Sequence, residues 1–267
     1  MKEVLPLFKT SYSSIGRSIL TLDDTDEIND NSTVSVFAIC KKHKLKELFL
    51  VEDSMQGFLK AYINSQKHGL NLRYGIRISI CPSIAKKRIE DRKESSKIVV
   101  FAKNTRGAQK LIKIYSRACQ EGFNGTARVD PDLLSEYWDE DDLFLCVPFY
   151  DSFIFVNTVQ HGMSFPDLKK FKPTFFTEDN DLPFDSVVED AVVSYADIAK
   201  EDVQPVQSIY YYKKDDFLAY LTFRCINKRS DLSCPRLDHM GSELFCFESY
   251  LNKKEKNERT HQQSIPA

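Results

Sequence analysis

Several chemistries are excluded by what this chain does not contain. Its seven cysteines, at 40, 81, 119, 146, 225, 234 and 246, include no C-x-x-C pair, so neither a paired-thiolate metal clip nor a dithiol redox motif is present. There is no phosphate-binding glycine loop, no G-x-S-x-G and no H-E-x-x-H. Histidine is scarce: His43, His68, His161, His239 and His261 are all there are, and no two stand at i and i+2. No apolar run approaches the roughly 20 residues that cross a bilayer, and MKEVLPLFKT lacks an apolar leader segment. The formal charge is only -2, so no global basic field gathers nucleic acid, and DNA is expected to be met only indirectly, through a partner. Most cysteines sit in apolar surroundings, as in Ile39-Cys40 and Leu145-Cys146. They are expected as reduced core thiols of a soluble, cytoplasmic protein.

What is present suffices for a large core, with 42% hydrophobic and 12% aromatic residues. No internal repeat or linker appears, so one domain is expected from Met1 to about Leu251. The segment 252–267, NKKEKNERTHQQSIPA, has no core-forming residues and is expected to be a disordered tail.

The most informative stretch is Lys97 to Leu134. Ile98 to Ala102 is a continuous apolar run, read as a buried strand. From Ala108 the period changes: Ala108, Leu111, Ile112, Tyr115, Ala118 and Cys119 fall on one helical face, with Lys110, Lys113, Arg117 and Gln120 opposite. Gly122 is expected as a left-handed C-terminal cap. Strand, turn and amphipathic helix make half of a βαβ unit, so the sheet should be at least partly parallel.

Elsewhere, Val4–Phe8, Leu48–Val51, Tyr74–Cys81 and Ile209–Tyr212 read as strands, and further apolar runs lie at Leu143–Val147, Phe153–Val156 and Thr174–Phe176. Val34–His43, Gly57–Ser65 and Asp215–Cys225 read as helices, the last with Phe217, Leu218, Leu221 and Cys225 inward. Ser186-Val187-Val188-Glu189 is a capping box opening a helix whose stripe is Val188, Ala191, Val192, Tyr195 and Ile198. The acidic Asp23–Ser32 lacks the glycine and glutamate of an EF-hand and reads as a solvated loop. Lys86–Lys97 carries both charge signs and reads as a surface excursion.

The wording AKN-x-x-G-x-x-x-L-x-x-x-x-S-x-A-x-x-E-G-F, then R-V-D-x-x-L-L, is carried by Ala102, Lys103, Asn104, Gly107, Leu111, Ser116, Ala118, Glu121, Gly122, Phe123, Arg128, Val129, Asp130, Leu133 and Leu134. It resembles the polymerase and histidinol phosphatase (PHP) domain of bacterial replicative DNA polymerase III alpha subunits. The likeness can be followed from about Leu5 to Leu251, through Val51-Glu52-Asp53, Gly75-Ile76-Arg77, PTFFTEDND and YYYKKDDFLAYL. It implies an α/β fold, a distorted (β/α)7 barrel of the PHP type in a single domain.

The resemblance also implies a cage of up to three divalent metals at the C-terminal strand ends, built mainly from histidines. Here the opening His-x-His falls on Leu7 and Lys9, a later glutamate on Ser83, a histidine on about Lys97 and a cysteine on about Phe149. A lysine ammonium has no lone pair and repels a cation beside it. The former cage is therefore expected to be filled by side chains, with no catalytic, cofactor-binding or metal-binding residues and no cofactor. Asp53, Asp179, Asp181 and Glu189 survive as carboxylates. If they converged they could hold a hard cation, which keeps a metal-dependent phosphoesterase or nuclease as the alternative.

The expectation that follows is a catalytically inactive, free-standing PHP-like domain, such as a virus could encode. It would act as a protein-binding module of, or against, a DNA polymerase III-type machinery, with polymerase subunits or the proofreading exonuclease as partners and no membrane contact. A clamp-binding peptide at Gln262–Pro266 is disfavoured because it lacks a terminal aromatic residue.

Overall fold

The computed structural model describes residues 2–13, 18–25, 27–28, 33–232 and 241–263. Seven strands close on themselves. In ring order they are β1 (Leu5–Phe8), β2 (Glu47–Glu52), β3 (Asn71–Ile80), β4 (Ser96–Ala102), β6 (Leu143–Val147), β7 (Thr174–Thr177) and β8 (Val203–Ile209), which returns to β1. The short β5 (Arg128–Val129) extends the edge of β3 by pairing with Ser79 and Ile80. All neighbours run parallel except β4, which is antiparallel to both β3 and β6. This corrects the βαβ reading of the central stretch: the strand Ile98–Ala102 is there, but it is the reversed member of a mostly parallel barrel. Its first residues therefore lie with the C-terminal ends of the other strands, and the Lys97 backbone N–H donates to the Asp151 carbonyl at 2.8 Å.

Alternation along the strands divides the apolar residues into two cores. Leu7, Val51, Val99, Phe101, Cys146, Phe176 and Val206 face into the barrel. Their neighbours, including Phe8, Leu50, Val100, Leu145 and Phe175, face outward against the helices in a larger core. On β3 the pattern is inverted, since Ile76, Ile78 and Ile80 join the outer core. Gly75, Arg77 and Ser79 are then left for the inside. A Cβ at Gly75 would sit 2.6 Å from the Phe101 ring, so only glycine lets that ring fill the barrel.

Helices α1 (Val36–Lys42), α2 (Phe58–Lys67), α3 (Thr105–Gln120), α4 (Pro131–Tyr137), α5 (Phe153–Val159), α6 (Asp185–Ala199), α7 (Phe217–Lys228) and α8 (Phe247–Gln263) cover the outside. Their starts are written locally. Asn104 accepts from the Gly107 N–H at 2.9 Å, Asp130 from Leu133 at 2.9 Å behind Pro131, and Ser152 from Phe155 at 3.2 Å. No helix among the described residues is long and apolar enough to cross a membrane.

Several expected stripes are rotated, because a helix lying on a barrel buries the face its neighbours leave for it. Helix α3 buries Gly107, Leu111, Ile114 and Ala118, while Ile112 and Cys119 are exposed. Helix α6 buries Val188, Val192 and Ala196 and leaves Ile198 84% exposed. On α7 Tyr220, Arg224 and Cys225 are buried, and Leu218 points to solvent. Gly122 does not adopt a left-handed conformation, and its need is contact: a Cβ there would lie 2.0 Å from the Arg128 carbonyl oxygen. The capping box at Ser186–Glu189 is absent, since α6 starts at Asp185 with no side-chain cap. The stretch after Leu251 does not begin a structureless tail, because α8 continues to Gln263. The acidic loop lies partly outside the described residues, and its described Asp23 and Asp24 pair with Lys60 and Lys67.

Candidate functional site at the barrel mouth

The C-terminal strand ends, with the start of β4, form the mouth of the barrel. Lys9 follows β1, Asp53 follows β2, Arg77 comes from β3 and Asp151 from the turn after β6. The Lys9 Nζ donates to Asp53 Oδ1 at 3.2 Å, and Arg77 Nε donates to the same oxygen at 2.8 Å. Arg77 Nη1 donates to Asp151 Oδ2 at 2.7 Å. Lys9 is only 5% exposed and Arg77 8%, so both cations depend on these carboxylates for solvation. Burial alone would lower the Arg77 pKa, but Asp53 and Asp151 outweigh it and raise it. Beside them the half-buried Lys97 donates to Ser79 Oγ at 2.7 Å.

Two buried carboxylates flank this network. Glu52 points from β2 into the loop after β1, where Oε1 accepts from the Thr10 N–H at 3.0 Å and the Thr10 hydroxyl at 2.6 Å. Its Oε2 accepts from the Ser13 hydroxyl. Burial pushes the Glu52 carboxyl up to about 7 against these hydrogen bonds. Glu178 accepts from Ser208 N and Oγ at 3.0 and 2.7 Å and from Asn180 Nδ2 at 3.0 Å. Burial raises its pKa as well. Lys253 of α8 reaches in behind it, donating to Gln207 Oε1 at 2.5 Å and to the Asp179 carbonyl. Burial lowers the Lys253 pKa although Glu178 opposes the shift.

Lys9, Arg77, Glu178 and Ser208 line the space that remains, a cavity of 40 Å³ above Leu7, Val51 and Phe176. That is room for water, not for a substrate.

The sequence-selected positions separate here. Leu7 and Lys9 do occupy the barrel interior and its mouth. Phe149 does not enter the mouth: it is fully buried in the outer core, edge-on to Tyr150 at 4.9 Å. Ser83 lies in the turn past β3, where its hydroxyl accepts from the Ala85 N–H. Of the four surviving carboxylates only Asp53 is in the ion-pair network. Asp179 and Glu189 line a separate cleft of 420 Å³ with Lys253 and Lys256, and Asp181 stands in a left-handed turn whose N–H bonds Asp179 Oδ1 at 3.3 Å. His43 bonds the Tyr212 hydroxyl and His68 bonds Asp24, both away from the mouth. His239 lies outside the described residues.

Divalent cations are the group that the PHP resemblance implies for this end. The residues present do not fit them: three cationic side chains stand where neutral donors are needed, and Asp53 is already shared by two of them. Among the described residues no three His, Cys, Asp or Glu side chains group to hold a metal ion. Arg77 and Asp151 escaped the sequence reading. The alternation Gly75, Arg77, Ser79 against Ile76, Ile78, Ile80 was the signal for Arg77, visible once the inside of the barrel is known to take the polar face.

Residues 30–158 match the family model described as the PHP domain. Among solved structures, a "putative metal-dependent phosphoesterase" from Bifidobacterium adolescentis is similar, with a TM-score of 0.39 and 13% identity over 78% of this chain and 88% of that one. No curated protein matches this sequence. The family-model match thus spans the part of the chain from α1 to α5, a little under half of it, and the fold is a closed seven-stranded α/β barrel covered by helices.

Proposed function

We propose that this protein is a catalytically inactive PHP-like domain that serves as a protein-binding module of a DNA polymerase III-type replication machinery. The observation that carries the reading is the Lys9–Asp53–Arg77–Asp151 chain of ion pairs, which sets two cationic side chains at the strand ends and occupies the carboxylates that a metal would need. With the mouth closed, function falls to the outside. A groove of 570 Å³ between α2 and α3, with Leu59, Tyr62 and Ile112 partly exposed along it, supports a docking role. The expected partners are the polymerase subunit or its proofreading exonuclease, and a virus is the kind of genome in which a separate copy would be of use.

The rival reading is a carboxylate-metal phosphoesterase. Asp179 and Glu189 share a cleft, but Lys253 and Lys256 share it too and compete with any cation. Size-exclusion chromatography of the protein mixed with purified polymerase core or exonuclease separates the two readings. The module reading expects co-elution that is unaffected by chelator. No co-elution, together with manganese-dependent hydrolysis of bis(p-nitrophenyl) phosphate that is lost in Asp179→Ala, overturns it.

A further inference from the structure

The other end of the barrel is open. Between the N-terminal strand ends lies a cavity of 540 Å³, within the range of small-molecule sites. Its floor is the underside of the inner core: Leu5, Phe49, Phe101 and Phe144. Three of these, Leu5, Phe49 and Phe144, are only partly buried although they sit at inward positions, so apolar surface of the barrel interior meets solvent here.

The rim is polar and its charges are unequal. Lys2 pairs with Asp202 at 2.8 Å, and Arg73 pairs with Glu47 at 3.2 Å. Lys103 also lines the cavity, and its Nζ donates to a neutral group, the Glu140 carbonyl at 2.6 Å, while lying 5.8 Å from the Phe144 ring centre. Among the described residues, two ion pairs and one cation held by a carbonyl leave the rim with an excess of one positive charge. An apolar bowl with a single excess cation at its edge complements a molecule with a hydrocarbon body and one negative head.

We propose that this end of the barrel binds a small aliphatic carboxylate, the chain on the phenylalanine floor and the head on the Lys103 ammonium. The site lies at the opposite end from the ion pairs of the mouth, while Ala102 and Lys103 line both this cavity and the groove between α2 and α3. A phosphate monoester carries more charge than the rim offers, and a neutral alcohol leaves Lys103 unanswered.

Isothermal titration of the full chain with decanoate, kept below its micelle concentration, tests this. One saturable site is expected, with decylamine and decan-1-ol at least about tenfold weaker. Lys103→Glu should lower decanoate affinity by about tenfold or more, and Lys103→Arg should keep it. Lys103 is exposed, so these variants should fold, and Lys103→Gln gives the same readout should the glutamate variant not. The proposal is overturned if decanoate shows no saturable binding, if decan-1-ol binds as tightly, or if Lys103→Glu and Lys103→Gln leave the affinity unchanged.

Discussion

At one end of the barrel the inward positions carry Lys9, Asp53, Arg77 and Lys97; at the other they carry Leu5, Phe49, Phe101 and Phe144. The charged end is the tight one, with 40 Å³ left between its side chains, and the apolar end holds 540 Å³. Long cationic side chains can cross the mouth and find carboxylates on facing strands, so they close it. At the opposite end Phe49 and Phe144 stay partly exposed, and the bowl that they line is open. The strands are common to both ends, and residue chemistry decides which end is sealed.

The largest test of that contrast is Asp53→Ala. It strips both Lys9 and Arg77 of their shared partner inside the mouth, and about 3–5 kcal/mol of stability should be lost in urea unfolding. Removing the Lys2–Asp202 pair at the open rim should do almost nothing by comparison.

Next comes the pH response of Glu52. Its carboxyl titrates near 7 in the folded chain against an ordinary 4.5, so between those values the folded state holds a proton that the unfolded state has released. Stability from this group is therefore greatest below about pH 4.5 and declines as pH rises to about 7, at about 1.4 kcal/mol for each pH unit of that interval. Glu52→Gln should flatten that part of a stability profile measured by urea unfolding at successive pH values. A profile unchanged by the substitution would mean that Glu52 is not protonated in the folded protein.

A smaller effect, about 1–3 kcal/mol, is expected for Gly75→Ala, whose methyl group meets the Phe101 ring. Thermal unfolding reads it, and displacement of Phe101 should also change the shape of the apolar bowl. The smallest is Asp202→Ala. Its partner Lys2 is half exposed, and the change should fall within about 0.5 kcal/mol in the same assay.

Much of the barrel was legible because strands such as β2, β4 and β6 are short apolar runs ended by polar residues. Strand β8 was not, since VQPVQSI mixes glutamines and a proline into its pattern. Its Gln207 is fully buried through bonds to Asn180 and the Leu244 carbonyl, which only the folded chain supplies. The reversal of β4 was also hidden, because an apolar run reads the same in either direction. At the mouth, Lys9 and Lys97 were legible as cations in place of imidazoles. The Arg77–Asp151 pair was not, its two members being 74 positions apart and joined only by closure of the barrel. Helix α8 was missed because its polar surface offers little apolar period, yet it delivers Lys253 behind Glu178.

The direct test of a mouth closed by ion pairs is a manganese titration followed by electron paramagnetic resonance at neutral pH. The account predicts that the free-ion signal in the presence of the protein follows that of buffer, with no saturable site. Stoichiometric binding that disappears in Asp53→Asn would contradict it.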